Sequence, residues 1–445
     1  MSPPNLGTPD LRTHGITRAG AGNRPPGAGN RPAADKLRRA MTAGPGERVP
    51  ALDGLRGIAI AFVMLYHFDF IYDFTYGRES GWVIDGIVTG LAGAGWAGVD
   101  LFFVLSGFLI TGILLDSKGP VRRFFGSFYA RRSLRIFPAY YAFLLLLLLL
   151  LPLFDETGGR DALWDYFAWY ALYLTNIYDA INPGLRADFF FVGHIWSLAV
   201  EEQFYLLWPA FVFAFSRRTL MRLCVAGILI AFGLRLGFVI ADLPAGLGYT
   251  LMPARMDALA AGALIALAIR NEHDLALLRR WAPPVAIICG GAVVAYGLAD
   301  RGFSPLDDWV RTAGFTVLAL LFASLLALTL QLRDSTLAAS VLSNSALRWL
   351  GRYSYATYLV HLPVAVILAR QIDFGAAIPA MAGSTLAGEV VYGAAAAAIT
   401  VSVAWLSWQV LESQFLKLKR RFPYAPVSGR LETSACGSLS LEAHE

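Results

Sequence analysis

Cysteine and charge are both scarce in this chain of 445 residues, and each shortage excludes a class of protein. The 3 cysteines are too few for a disulfide framework. They also show no metal-ligand spacing, so no metal site is predicted. Only 16% of the residues are charged whereas 56% are hydrophobic, which excludes an ordinary soluble domain. The formal charge of +5 comes from arginines beside the hydrophobic runs, so it indicates orientation against anionic lipid and not nucleic-acid binding.

Apolar runs of about 20 residues recur between residues 55 and 411 and indicate a polytopic membrane protein. We predict an all-α transmembrane helical bundle of about ten spans plus one interfacial or re-entrant helix. The first run starts too deep in the chain for a cleavable signal peptide, so we expect it to remain as the first span. The predicted spans lie near residues 54–75, 97–115, 137–153, 194–215, 219–241, 252–269, 282–298, 311–331, 353–370 and 389–411.

One further stretch, residues 161–180, is apolar enough for an eleventh span. If it crossed the membrane, the charge alternation of every later connection would invert. Its aromatic residues and scattered aspartates favour a helix lying at, or dipping into, the outer interface. We therefore expect it not to cross, with the crossing helix as the alternative.

The two ends of the chain are polar. Residues 1–49 are rich in Gly, Pro and Arg, which predicts a disordered basic arm before a membrane domain over residues 50–415. Residues 416–445 are predicted to form a polar tail. Basic clusters fall on alternate connections between the spans, so the positive-inside rule predicts a multi-pass protein of the cell membrane with both termini cytoplasmic.

The first span carries three ionisable residues, Asp53, Arg56 and His67. At roughly 100° per residue, Arg56 and His67 return to within about 20° of one helix face and lie roughly 16 Å apart in height. The predicted orientation places Arg56 near the cytoplasmic side and His67 past the midplane.

Four more ionisable residues reach the predicted level of His67 from other spans. Glu201 and Glu202 lie roughly 10–12 Å below the outer surface, and Arg255 and Asp257 lie slightly shallower. Because such residues cost several kcal/mol in hydrocarbon unless paired or hydrated, a layer of them indicates a functional cavity. The alternative is a set of structural ion pairs that lock helices together. The two glutamates point about 100° apart, so one of them is expected to face the cavity.

The segment "FYARRSLRIFPAYY" places Arg131, Arg132 and Arg135 just before the third span. Arg131 and Arg135 are predicted to share a helix face, and Pro138 fits the first turn of a new helix. Clustered arginines bind phosphates through bidentate hydrogen bonds, although a plain positive-inside anchor has the same composition.

Three other residues frame the predicted cavity. Ser106 precedes Gly107 where close helix approach is expected, and Asp100 lies near the outer mouth of the same span. His361 lies about 12 Å from the cytoplasmic side, either as a packed polar residue or as a functional one.

Six motifs together resemble the acyltransferase-3 family of membrane O-acyltransferases over about residues 50–415. The motifs are "LDGLRGIAIAFVMLYH", "GVDLFFVLSGFLI", "RRSLRIFPAYY", "WSLAVEEQFYLLWP", "RMDALAAG" and "SYATYLVH". The resemblance implies that Arg56 and His67, an arginine and a histidine separated by ten residues, are required for activity. It also implies that the "RRSLRI" segment acts with the acyl donor.

The resemblance leads to a reaction hypothesis. A cytoplasmic acyl-coenzyme A would place its phosphates against Arg131, Arg132 and Arg135, with Arg56 guiding the donor. His67 would act as general base on the hydroxyl of an acceptor. Glu201 or Glu202 would orient the imidazole, and Arg255 would balance charge or bind the acceptor. Family members acylate envelope glycans, lipid-linked sugars or secreted small molecules, and no tightly bound cofactor is expected.

A membrane transporter is the rival hypothesis, because intramembrane His, Glu and Arg residues also build proton relays. The sequence has no clear internal repeat and no matched pair of broken helices, which favours the enzyme.

Overall fold

Helices make up the regular structure in a computed structural model that describes residues 50–79, 81–153, 163–182, 191–299, 303–332 and 335–424. Within those ranges the only strand-like pairing is an isolated bridge between Met381 and Ser384. The predicted all-α class is therefore confirmed for the described part. The predicted arm, residues 1–49, and the tail beyond residue 424 lie outside the described residues.

The helices follow the apolar runs of the sequence. In chain order they are α1 (Pro50–Tyr76), α2 (Val83–Gly93), α3 (Gly98–Asp116), α4 (Val121–Leu150), α5 (Phe167–Ala171), α6 (Thr175–Ile181), α7 (Trp196–Ala214), α8 (Arg217–Ile240) and α9 (Ala245–Thr250). They continue with α10 (Met252–Ala268), α11 (Glu272–Ala299), α12 (Phe315–Thr329), α13 (Leu337–Leu342), α14 (Ser345–Gln371), α15 (Phe374–Ala377), α16 (Leu386–Ser407) and α17 (Ser413–Lys417). An apolar run forms a helix in lipid because every backbone polar group is then satisfied within the segment.

Eight helical segments in the described part are long and apolar enough to cross a membrane. They are α1, α2 joined to α3, α4, α8, α9 joined to α10, α11, Val310–Thr329, and Leu386–Arg421. Helices α7 and α14 occupy the two other predicted spans but are not among the eight. Glu201, Glu202 and Gln203 make α7 more polar, and α14 carries three arginines. The structure thus supports a multi-pass bundle, and the total of ten is not confirmed.

The predicted interfacial stretch does not form a membrane-crossing helix where the structure describes it, at residues 163–182. It contains the short helices α5 and α6, of 5 and 7 residues, whereas a span needs about 20. Tyr173 between them has φ 55°, a left-handed conformation that interrupts helical hydrogen bonding. This agrees with the prediction that the stretch does not add an eleventh span.

Close helix packing fixes the centre of the bundle. Helix α3 packs on α10, which also contacts α8, and α1 packs on α14. A Cβ atom on Gly107 of α3 would overlap the Leu259 carbonyl, and one on Gly262 of α10 would overlap the Val104 carbonyl. The close approach predicted at Gly107 is therefore present, and it brings two backbones into contact as small residues do in membrane bundles.

We expect Gly107→Ala and Gly262→Ala each to destabilise the protein by about 1–3 kcal/mol, because the added methyl group must separate α3 from α10. Thermal unfolding in detergent measures the effect. Gly233→Ala is the matched control, since Gly233 is also helical and a Cβ there meets nothing within 4 Å. Equal melting temperatures for all three variants would contradict the close packing.

Candidate active site

A cavity between five helices collects six of the polar residues singled out by the sequence. Helices α1, α3, α4, α7 and α14 form its walls. Its polar lining residues are Arg56, Ser106, Arg132, Arg135, Ser197, Glu201, Glu202, Tyr205, Ser354, Tyr355 and Tyr358. Apolar side chains such as Val99, Phe102 and Leu109 complete the wall on α3. The structure thus brings Arg56, two of the clustered arginines and both glutamates to one place.

The two glutamates occupy this cavity and not the surroundings of His67. The Glu201 carboxylate accepts hydrogen bonds from Ser106 Oγ at 2.6 Å and Tyr205 Oη at 3.2 Å. The Arg132 guanidinium lies 4.4 Å from the centre of the Tyr205 ring. The prediction that a glutamate orients the His67 imidazole is therefore wrong for Glu201, because Ser106 of α3 and Tyr205, one turn further along α7, are its partners.

Arg56 lines the cavity and lies close to Asp53. Arg56 Nη1 and Asp53 Oδ1, one helical turn apart, are separated by 3.8 Å. Both side chains are largely buried, with exposed fractions of 25% and 14%. Asp53 thus balances part of the charge that Arg56 brings to the cavity.

The arginine segment divides between two surfaces. Arg132 and Arg135 line the cavity, whereas Arg131 Nη1 donates to the carbonyl oxygens of Lys419 at 3.0 Å and Phe422 at 3.3 Å. Arg131 also lies 4.6 Å from the centre of the Tyr424 ring. Arg131 and Arg135, four residues apart on one continuous helix, share a face as predicted, but only Arg135 lines the cavity, since the chain after α17 lies across Arg131.

Helix α4 also corrects the expected start of a new helix at Pro138. The helix runs without interruption from Val121 to Leu150 and contains Pro138. Arg132 and Arg135 are consequently rigidly placed one turn apart on a helix that continues into the apolar run.

A second cluster contains three histidines from three different parts of the chain. His67 Nδ1 lies 2.9 Å from the Val63 carbonyl oxygen and 3.2 Å from His361 Nε2. His361 Nδ1 lies 2.7 Å from the Tyr358 carbonyl oxygen. The His194 ring lies 4.8 Å from the His361 ring and 6.4 Å from the His67 ring, centre to centre.

These contacts assign the protons of two imidazoles. A carbonyl oxygen only accepts, so His361 Nδ1 carries a proton and its Nε2 carries the lone pair. His67 Nδ1 is then the donor to both Val63 and His361, which leaves the lone pair of His67 on Nε2. His361 is fully buried, whereas His67 is partly exposed. His67 is thus held in the tautomer whose free nitrogen can take a proton.

Tyr358 connects the histidines to the cavity. Its hydroxyl lies 2.5 Å from Ser197 Oγ and donates to the His194 carbonyl oxygen at 2.8 Å. Tyr358 and Ser197 line the cavity, and the Tyr358 carbonyl holds His361. One residue on α14 therefore contacts both groups of polar side chains.

The remaining predicted residues form a separate cluster of ion pairs. Arg255 Nη2 pairs with Asp100 Oδ1 at 2.8 Å, and Arg235 Nη2 pairs with Asp257 Oδ2 at 2.8 Å. All four side chains are at most 1% exposed. The Arg255 guanidinium also lies 3.6 Å from the centre of the Phe315 ring. These pairs match the alternative reading of structural locks between helices.

The expected single polar layer is therefore divided into three groups. Asp100 and Ser106 show why. They are six residues apart on α3, so their side chains point about 240° apart around the helix and lie about 9 Å apart along it. Asp100 faces Arg255 on α10, whereas Ser106 faces Glu201 on α7. An estimate of depth along a helix does not say in which direction around the helix a side chain points.

Several residues of these clusters were missed by the sequence reasoning. Tyr205 follows Glu201 by four residues, Tyr358 precedes His361 by three, and His194 precedes Ser197 by three. Helical spacing could have found the first two. Arg235, in the middle of an apolar run, is an intramembrane charge that should have been paired with Asp257. Among the described residues no group of three His, Cys, Asp or Glu side chains is arranged to hold a metal ion.

Comparison with known proteins finds a family that matches most of the chain. A family model with the description "Acyltransferase domain" matches residues 49–409. The chain is 28% identical over 331 residues to "Peptidoglycan O-acetyltransferase OatA" of Listeria monocytogenes, covering 71% of this chain and 49% of that protein. It is 28% identical over 352 residues to "O-acetyltransferase OatA" of Staphylococcus aureus, covering 72% and 51%.

A third relative is "Putative peptidoglycan O-acetyltransferase YrhL" of Bacillus subtilis, 28% identical over 345 residues, with 72% of this chain and 49% of that protein covered. The chain thus spans about half the length of these relatives. No solved structure matches the chain.

We expect Asp100→Asn to destabilise the protein by about 3–5 kcal/mol, because it leaves Arg255 buried without its charge partner. Asp116→Asn is the matched control, since Asp116 pairs with Arg270 at the same 2.8 Å from the other end of α3 but is 33% exposed. The control should lose about 0–1 kcal/mol. Denaturation in mild detergent measures both variants, and similar losses would contradict the buried lock.

Proposed function

Since the chain belongs to the acyltransferase family whose model matches residues 49–409, we propose that it is an integral membrane O-acyltransferase acting on a hydroxyl group of a cell-envelope glycan. The names of its relatives support acetyl as the acyl group and peptidoglycan as the acceptor. The observation that carries the proposal is Tyr358, which joins the arginine-lined cavity to the histidine cluster.

Acyl-coenzyme A is the proposed donor, and its phosphates bind at Arg132 and Arg135. Two guanidinium groups one turn apart suit phosphate oxygens because their hydrogen bonds are charge-assisted. Arg56, on the facing helix α1, lines the same cavity and guides the donor inward. The apolar wall of α3 then contacts the thin pantetheine arm.

His67 is the proposed general base. Its Nε2 takes the proton of the acceptor hydroxyl as the hydroxyl oxygen attacks the thioester carbonyl carbon. The carbon–sulfur bond then breaks, and the proton passes from His67 to the coenzyme A thiolate, which leaves as the free thiol. The contact of His67 Nδ1 with His361 Nε2 supports this role, because the accepting nitrogen stabilises the imidazolium while the proton is held.

The two substrates are proposed to enter from opposite faces of the membrane. Basic connections alternate along the chain, which supports a cytoplasmic location for the arginine segment. His67 lies eleven residues further along α1 than Arg56, roughly 16 Å towards the other face. An acyl group would then cross most of the bilayer within the protein.

We expect the purified protein in sealed vesicles to release coenzyme A from acetyl-coenzyme A when a glycan acceptor is present. His67→Gln should lower the rate by about 10²–10⁴-fold, the usual contribution of a general base, and leave donor binding and the melting temperature unchanged. Thiol release and mass spectrometry of the acceptor measure transfer.

Transport of the donor or acceptor without thiol release would favour the transporter and reject the enzyme. Normal transfer by His67→Gln would reject the assigned base alone. Efficient transfer with both impermeant substrates confined to the cytoplasmic side of vesicles that do not leak would reject the opposite-face arrangement.

The donor site is tested by single arginine substitutions. Arg132→Gln and Arg135→Gln should each raise the KM for acyl-coenzyme A about tenfold or more, because a charge-assisted hydrogen bond contributes about 1.5–3 kcal/mol. Arg131→Gln is the matched control, since Arg131 contacts the chain after α17 and does not line the cavity. A larger effect at Arg131 than at Arg132 and Arg135 would reject the cavity as the donor site and favour the surface where Arg131 meets the chain after α17.

A further inference from the structure

A second groove lies between the N-terminal ends of α8 and α11 and shares no lining residue with the candidate active site. Its volume is about 440 Å³, and it is lined by Arg217, Arg218, Met221, Arg222, Asn271, His273 and Asp274. Helix α8 packs mainly on α10 and α11 mainly on α12, so the two helices leave the groove between their first turns.

The groove carries an excess of positive charge that the described residues do not neutralise. Arg217 Nη1 pairs with Asp274 Oδ2 at 2.5 Å, which pairs off one arginine. Asp274 is the only acid among the described lining residues, because Glu272 begins α11 outside the groove. Arg218 and Arg222 have no hydrogen bond or ion pair with any described residue, so two guanidinium groups are available to an anion.

The wall of the groove is held in a fixed geometry. Asn271 Oδ1 accepts hydrogen bonds from the backbone N–H groups of His273 at 3.1 Å and Asp274 at 3.2 Å. Arg217 Nη1 also donates to the Leu267 carbonyl oxygen at 3.4 Å. These bonds tie the first turn of α11 to the ends of α8 and α10.

An apolar stripe continues from the two arginines into the membrane. On a helix, residues seven and eleven positions after Arg218 return to within about 20° of its face. Those residues are Val225 and Leu229, which are 46% and 64% exposed. On α8 the groove therefore has cations at its mouth and exposed apolar side chains two to three turns further along the helix.

We propose that this groove binds the headgroup of an anionic phospholipid, with the phosphate between Arg218 and Arg222 and the acyl chains along the apolar stripe. Guanidinium groups bind phosphate oxygens through paired hydrogen bonds, and basic pockets between membrane helices suit such headgroups. The apolar stripe selects a lipid over a free phosphate ion, since a free ion gains nothing from Val225 or Leu229.

The experiment compares two double variants of the full chain by native mass spectrometry and by binding in nanodiscs. Arg218→Gln/Arg222→Gln should weaken binding of phosphatidylglycerol about tenfold or more, because each charge-assisted phosphate contact provides at least a decade of affinity. Arg420→Gln/Arg421→Gln is the matched control, with the same change of charge on an exposed basic segment outside the groove. Its affinity for phosphatidylglycerol should stay within about twofold of the parent.

Equal weakening by the two double variants would overturn the proposal, because it would indicate general attraction of basic residues to an anionic surface. Displacement of phosphatidylglycerol by millimolar inorganic phosphate would also overturn it in favour of a free-anion site. Retained preference for phosphatidylglycerol over phosphatidylcholine in the control, together with its loss in the groove variant, would support it. The melting temperatures of the variants in detergent show whether both remain folded.

Discussion

Hydrocarbon does not solvate charge, and this constraint decides where each ionisable side chain of the bundle lies. Asp100 and Asp257 meet arginines from neighbouring helices and are removed from solvent together with them. Glu201 meets hydroxyl groups instead of a histidine. The three clusters are thus three ways to accommodate polar groups: ion pairs between arginines and aspartates, a cavity lined by arginines and glutamates, and a cluster of imidazoles.

The class of fold was predictable because long apolar runs have one solution in lipid, and the runs that became α1, α3 and α8 are unambiguous. The number of spans was less predictable from the sequence. Helix α7 carries Glu201 to Gln203, and whether such a helix crosses a membrane depends on the neighbours that partner those residues. The same holds for the stretch around Tyr173, where a left-handed residue breaks a run that composition alone would allow to continue.

The site was predicted in its membership more than in its contacts. Helical depth singled out Arg56, His67 and Glu201, because depth follows from position along one helix. Which of them touch depends on rotation and on which helices are neighbours, and neither is contained in a single span. His361 contacts His67 across 294 positions of sequence, and Arg131 donates to the Lys419 carbonyl oxygen across 288. Contacts of that range become visible only in the folded chain.

The contact between the backbones of α3 and α10 has a mechanical consequence for the cavity. A wall held by one backbone against another has no side-chain layer to compress, so α3 cannot yield without moving α10, whose segment is 72% buried. Another wall, α4, belongs to a segment that is only 33% buried, so fewer protein contacts hold it in place. Of these two walls, α4 therefore tilts more easily, and Arg132 and Arg135 on that helix would move with it. The wall that carries these guanidinium groups is thus the more compliant of the two.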